Sequence, residues 1–405
     1  MEEENREENR EETRTKRETG KQALSTFLFC LICLLAGSAL TLAGMAFYLG
    51  DGALSMLRAY VLVERKFVGD YESETVREAS LDAMVESLGD RWSYYLNPEE
   101  YQRTKETRKN AYVGIGVTVS QSDESLQILA VAEGGPADRA GLRPGESIRE
   151  VDGKAVTPET RSECVDAIAG KPGTSVTLTV EGTDGALRTV TITREKIQNI
   201  SAAWTMLEGD TALLVIGNFY AGTAEQVRTC LDEMTAQNAK ALVVDVRYNP
   251  GGYVTELAAI LDDLLPEGEV FHSETLSGRE TSYTSDADCI GLPIGVLVNG
   301  DSYSAAEFLA AQLRESAGAV IVGTQTCGKG FAQTLFALPD GSALGLSTSR
   351  YVTGSGVSLI GTGVTPDQTV ELSDKENEAL YAGILPVEED AQLQAVLTLL
   401  SESSY

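Results

Sequence analysis

Three stretches between residues 243 and 333 carry residue types that could do covalent chemistry. In Asn299-Gly300-Asp301-Ser302-Tyr303-Ser304-Ala305-Ala306-Glu307, a serine stands at the start of a helical pattern. A hydroxyl there could act as a nucleophile, because the N–H groups of the first helical turn can bind the oxyanion formed on attack. The same residues also read as a capping box, Ser304 with Glu307 three positions on. In Gly328-Lys329-Gly330, Lys329 is the only lysine between Lys240 and Lys375, and Gln333 follows it by four residues. A lysine set between glycines after a buried strand loses solvent, which lowers its pKa toward that of a usable general base; left in water it is an ordinary turn residue. The third stretch is Val243-Val244-Asp245-Val246-Arg247-Tyr248-Asn249-Pro250-Gly251-Gly252. Its paired glycines either make a tight turn or let backbone N–H groups approach an anion at a helix N-terminus.

Other chemistries are excluded or weak. His272 is the sole histidine, which rules out a multi-histidine zinc site and leaves any Ser-His or Cys-His mechanism one candidate base. No S-x-x-K occurs, so a penicillin-binding-protein arrangement is absent. Gly323 to Lys329 has the spacing of a phosphate-binding loop, but Gly330 follows where Ser or Thr is needed, and 331–338 reads as strand instead of helix. The six cysteines show neither metal-knuckle spacing nor a dense disulfide framework. With 61 acidic and 32 basic residues, a net charge of −29 repels phosphates and argues against nucleic acid as a partner.

The elements that must position these residues follow from periodicity. Residues 1–21, with eight Glu and six Lys or Arg, predict a disordered charged tail. Residues 22–50 are 29 positions without a charge, long enough for one transmembrane helix and longer than the apolar region of a signal peptide. Arg14, Lys16, Arg17 and Lys21 before it predict a cytoplasmic N-terminus, a cell-membrane location and an extracytoplasmic remainder. Cys30 and Cys33 lack the small residue that precedes a lipoprotein cysteine. Residues 52–110 repeat apolar positions at helical spacing. Residues 112–195 switch to short strands around 113–119, 126–131, 147–151, 175–180 and 187–193, with a helix at 161–168, as in a small barrel-like domain. From 198 to 375, strands at 212–216, 241–246, 294–299 and 319–322 alternate with helices at 224–237, 254–265 and 305–316, the pattern of a buried, largely parallel sheet. A helix near 391–400 lies in the tail, 376–405.

Taken in order, Asp245-x-Arg247-x-Asn249-Pro250-Gly251-Gly252, Ser302-x-Ser304-Ala305-x-Glu307 and Gly328-Lys329-Gly330-x-x-Gln333 resemble the C-terminal processing peptidases, or tail-specific proteases, of the S41 type. Leu88-Gly89-Asp90 with Ser93-x-Tyr95-Leu96 and Pro98-Glu99-Glu100 resembles their helical N-terminal region, and Gly363-Val364-Thr365-Pro366-Asp367 the edge of their catalytic domain. The resemblance implies an α/β catalytic domain of the crotonase/ClpP-like type with an inserted PDZ-like β-rich domain. It implies Ser304 as nucleophile, Lys329 as general base, Gln333 orienting Lys329, and an oxyanion hole from the N–H of Ala305 and that of Gly251 or Gly252. No metal or cofactor is required. Tyr112-Val113-Gly114-Ile115-Gly116-Val117 is similar to a PDZ carboxylate-binding loop, and Gly135-Pro136-Ala137 with Ala140-Gly141-Leu142-x-Pro144-Gly145 to its helix and turn. Gly114, Ile115 and Gly116 would then capture a terminal carboxylate while the peptide adds a strand. The implied partners are proteins or peptides with free C-terminal tails, and a second copy of the chain, since terminal helices in this family often make dimers. A PDZ scaffold without catalysis would bind tails without cutting them; the intact Ser304, Lys329 and Gln333 argue against it. Tyr303 and Ala306 stand where the family usually has Ala and Ser, Cys327 where it has an aromatic residue, and Gly354 near a common Pro. Cys327, two residues from Lys329, is expected to make the site sensitive to thiol reagents.

Overall fold

The computed structural model describes residues 2–121, 125–132 and 134–402. The chain divides between Ser80 and Leu81 into two compact units. In the first, helix α1 (Glu2–Lys66) is interrupted at Gly50, whose φ of 70° and ψ of 170° break the helical path. The expected disorder is corrected over 2–21, residue 1 lying outside the described residues: 2–21 continue the helix, because Glu, Arg and Lys are strong helix formers whatever their charge. From Ser25 onward α1 is long and apolar enough to cross a bilayer, and it exposes Phe27, Phe29, Leu34, Leu40 and Leu42. Helix α2 (Ser73–Glu86) follows.

The second unit takes in the end of α2 from Leu81, then β1 (Tyr94–Leu96) and α3 (Pro98–Arg108). Asn97 starts α3 as a full capping box with Glu100, as the Asn-Pro-Glu-Glu run predicts. The β-rich part comprises β2 (Ala111–Gly114), β3 (Val117–Gln121), β4 (Leu126–Val131), α4 (Pro136–Arg139), β5 (Ser147–Val151), β6 (Lys154–Ala155), α5 (Arg161–Ile168), β7 (Ser175–Glu181), β8 (Leu187–Thr193) and β9 (Glu195–Gln198). Its sheet runs β3-β4-β5-β7-β8, with β6 beside β5, around a core that includes Leu126, Ile128, Ile148, Leu178 and Val180. β2 and β9 pair as a separate antiparallel ribbon at the entry and exit of this region.

Next come β10 (Ala202–Met206), β11 (Thr211–Ile216), α6 (Thr223–Ala236), β12 (Ala241–Asp245), α7 (Val254–Leu264), β13 (Gly268–Thr275), β14 (Glu280–Ser285), β15 (Ile294–Val298), α8 (Ala305–Ala317), β16 (Val320–Gly323), β17 (Phe331–Ala337), β18 (Ala343–Thr353), β19 (Gln368–Thr369), α9 (Asp374–Tyr381) and α10 (Ala391–Glu402). The central sheet is β10-β11-β12-β15-β16-β19, parallel from β11 to β19. Its inner strands β11, β12, β15 and β16 are short apolar runs because both faces are covered: one by α6, α7 and α8, the other by Leu393, Val396 and Leu400 of α10. A second, antiparallel sheet of β1, β18, β13, β14 and β17 stands beside it.

Helix α10 is fastened by a buried ionic cluster. Arg247 donates to Asp245, to Asp390 (2.7 Å from Nη2) and to Gln392 (2.9 Å from Nη1), and Asp390 also caps α10 by accepting from the N–H groups of Gln392 and Leu393. Removing one partner of a buried ion pair costs about 3–5 kcal/mol. Asp390→Ala is therefore expected to lower stability by that order, read as a lower midpoint in chemical denaturation.

Candidate active site

Strands β12, β15 and β16 are neighbours in parallel register, Asp245 opposite Leu297 and Val298 opposite Gly323. Each ends at the same sheet edge, where α/β folds place their ligands. The three sequence stretches are the loops that leave these strands, so residues distant in sequence become adjacent. Cross-bonds fix the loops to one another. Tyr303 N–H donates to Asn249 C=O at 2.9 Å, Tyr248 N–H to Asn299 Oδ1 at 3.0 Å, and Ser302 Oγ to Val246 C=O at 2.8 Å.

Ser304 precedes the first turn of α8 with φ 54° and ψ −112°. Positive φ is uncommon outside glycine and costs energy that the surroundings must hold. Here they do. Ser304 N–H donates to Glu307 Oε2 at 2.9 Å, the carboxylate half of a capping box, but the backbone is not that of an ordinary extended N-cap. Glu307 is fully buried, and its carboxylate also accepts from Thr326 Oγ1 (2.6 Å), Gly328 N–H (2.7 Å) and Lys329 N–H (2.8 Å). Four donors fill the acceptor capacity of one carboxylate. One buried side chain thus ties the Ser304 corner to the Lys329 loop.

Ser304, Lys329 and Gln333 line one cleft of about 250 Å³, together with Gly252, Tyr220 and Tyr351. Lys329 is half-buried; burial pushes its amine below the usual lysine range, and the positive charge of Arg108 pushes the same way, while Cys327, Glu307 and Asp90 oppose them. Its Nζ lies 4.9 Å from the centre of the Trp92 ring. Among the described residues it has no hydrogen-bond partner, and Ser304 Oγ is not bonded to it. Gln333 lines the cleft, but its amide donates to Phe331 C=O (3.1 Å) and Ser347 Oγ (3.2 Å), so the expected bond to Lys329 is not formed. A bulge in β17 between Ala332 and Gln333 accompanies this placement.

The glycine pair divides its work. Gly251, at φ 82°, packs against Ser304, and its N–H is taken by Asn249 Oδ1 at 2.8 Å. That bond corrects Gly251 as an oxyanion donor. The N–H groups of Gly252 and Ala305 have no partner among the described residues, and both residues border Ser304 in a recess lined by Val254, Leu257, Phe271, Phe308 and Tyr351. Gly252 bridges to Phe219, and a Cβ there would come within 2.2 Å of Phe219 C=O. Gly252→Ala is expected to break the bridge and lower kcat about 10²-fold, the cost of losing one oxyanion donor, measured on a fluorogenic peptide.

In the β-rich part, Gly114 ends β2, Ile115 is buried, and the carbonyls of Ile115 and Gly116 accept from Ala137 and Ala132, both at 2.8 Å. The N–H groups of Ile115 and Gly116 have no partner among the described residues. β3 is the outer strand of its sheet, open to one more strand. His272 lies on β13 between Val352 and Ser282 and does not line the cleft. Arg108 and Tyr351 do line it, Trp92 packs against Lys329 of its wall, and the sequence reading missed all three. Trp92 carried the one available signal, a rare residue beside the Leu-Gly-Asp motif. The Asp90 of that motif holds Ser93 at 2.6 Å, and Ser93 in turn accepts from Ser347 N–H of β18.

The model of peptidase family S41 matches residues 210–370, and that of the PDZ domain residues 127–182. The carboxy-terminal-processing protease of Bartonella bacilliformis is 32% identical over 321 residues, 76% of this chain and 73% of that protein. The carboxy-terminal processing protease CtpA of Bacillus subtilis is 28% identical over 366 residues, 87% of this chain and 78% of that protein. Among solved structures, a photosystem II D1 C-terminal processing protease aligns at 26% identity with a TM-score of 0.48, covering 85% of this chain and 93% of that one. The chain belongs to peptidase family S41, as a C-terminal processing serine protease that carries a PDZ domain.

Proposed function

We propose that this protein is a membrane-anchored endopeptidase that holds the C-terminal tails of its substrates in the PDZ domain and cuts them with a Ser304–Lys329 pair. Residues 22–50 are the anchor and residues 1–21 the cytoplasmic tail, on the strength of the basic residues before the apolar run. Residues 52–110 form a helical region, 112–195 the PDZ domain, 198–375 a catalytic domain of the crotonase/ClpP-like type, and 376–405 the tail that closes its sheet.

The observation that carries the reading is the convergence on one cleft of a serine at a helix N-terminus and a half-buried lysine with no salt-bridge partner among the described residues. In this mechanism neutral Lys329 swings from Trp92 to Ser304 Oγ and accepts its proton as the oxygen attacks the scissile carbonyl. The N–H groups of Ala305 and Gly252 hold the oxyanion. Collapse expels the amine, protonated by Lys329, and leaves an acyl ester on Ser304. Water, deprotonated by Lys329, then hydrolyses that ester. The recess beside Ser304 has free space of about 10 Å³, on the scale of one water, which suits a small apolar side chain before the cut. The open edge of β3 and the N–H groups of Ile115 and Gly116 take the tail by strand addition.

The test is digestion of an unstructured protein by the full chain in detergent, with the substrate's C-terminus either free or amidated. Mass spectrometry should find internal cuts, faster with the free terminus. An intact substrate in both forms would overturn the reading.

A further inference from the structure

Arg108 stands in the last turn of α3, an ordinary place for a basic residue near the carbonyl end of a helix. Its surroundings are not ordinary. It lines the same cleft as Ser304 and Lys329, and the only charged side chains of that lining are Arg108 and Lys329, both cationic, in a chain of net charge −29. No carboxylate pairs with Arg108 among the described residues, although most other arginines of the second unit find one: Arg103 meets Glu99, Arg139 meets Glu195, Arg188 meets Glu146, and Arg314 meets Asp367. Its backbone is held in place. Ala221 N–H donates to Arg108 C=O at 3.3 Å, and Asn110, two residues on, is buried and bonded to Ser201 Oγ at 2.7 Å. The backbone of Arg108 is therefore anchored at the cleft wall, and its side chain brings a guanidinium with five donors to the lining.

We propose that Arg108 is a specificity-determining residue that selects substrates bringing a carboxylate into the catalytic cleft, either an Asp or Glu side chain near the scissile bond or the terminal carboxylate of a short tail. A guanidinium pairs with a carboxylate through two parallel bonds, which a neutral amide cannot match. The inference rests on the Ser304–Lys329 reading, because the cleft matters to specificity only if cutting happens there.

The experiment uses the full chain in detergent and one cleavable peptide. Each of the three positions on either side of the scissile bond carries Asp, Asn or Lys in turn, and every peptide is made as free acid and as amide. The readout is the ratio of kcat/KM values within one enzyme preparation, which does not depend on the fraction folded. At one position, or between acid and amide, the wild type should favour the carboxylate about tenfold. Arg108→Gln should bring that ratio to about one, Arg108→Lys should keep part of it, and Arg108→Glu should favour Lys. A preference that tracks the side chain identifies an internal acid; one that tracks the free terminus and vanishes in Arg108→Gln identifies the tail. A wild type indifferent to charge, or a preference that survives in Arg108→Gln, as capture by the PDZ loop would give, overturns the proposal. Peptides left uncut, or cut equally by Ser304→Ala, fail the protease reading itself and give a different pattern.

Discussion

Alanine in place of Lys329 is expected to lower kcat/KM by about 10⁴-fold, with Ser304→Ala at least as severe and the double variant no worse than either. The non-additivity is the informative part, since two groups that act on one proton fail as a unit. Lys329→Arg should be equally inactive. It places a basic side chain beside Trp92 but stays protonated near neutral pH and cannot take the serine proton. Retained activity in that variant would mean that charge, and not proton transfer, is what the cleft needs. The pH dependence follows from the same proton transfer. Burial favours the neutral amine, so kcat/KM should climb with pH through an apparent pKa below the ordinary lysine value. Trp92→Ala admits water to Nζ and should move that rise to higher pH.

Glu307→Gln is expected to cost both activity and stability. All four lone-pair positions of the carboxylate are used, and an amide nitrogen in its place would face donors with donors. Each buried hydrogen bond to a charged group contributes about 1.5–3 kcal/mol, so the fold should lose on the order of 3 kcal/mol. The loss falls on the backbone of Ser304, Gly328 and Lys329 themselves. A displacement of about 1 Å there costs about 10²-fold in rate. Thermal melting and kcat on one peptide should fall together, whereas Asp390→Ala, whose bonds go to Arg247 and the start of α10 and not to Ser304 or Lys329, should lower stability with a smaller loss of rate.

The four inner strands of the central sheet were legible because they are buried on both faces and read as continuous apolar runs between amphipathic helices, whereas the more exposed edge strands β10 and β19 were not. The second sheet was not. Strand β18 runs Ala-Leu-Gly-Leu-Ser-Thr-Ser-Arg-Tyr-Val-Thr, and β13 carries Glu, His and Ser, compositions that fit a half-exposed surface and specify no partner locally. Glu307 announced itself only as a cap, since its spacing from Ser304 explains one of its four bonds. The bonds to Thr326, Gly328 and Lys329 span about twenty residues and exist only because β15 and β16 pair. The choice between Gly251 and Gly252 depended likewise on where Asn249 points, and no spacing rule encodes that. Arg108 was invisible for the same reason: an exposed helix-end arginine and a cleft arginine have the same sequence.

The most direct measurement is labelling of the full chain with a serine-directed fluorophosphonate, read by mass spectrometry of the peptide that contains residue 304. The account predicts a single phosphonyl adduct on the Ser304 oxygen, forming more slowly as pH falls and absent when Lys329 becomes alanine. An adduct on a different residue, or labelling of Ser304 at full rate without the lysine, would contradict it.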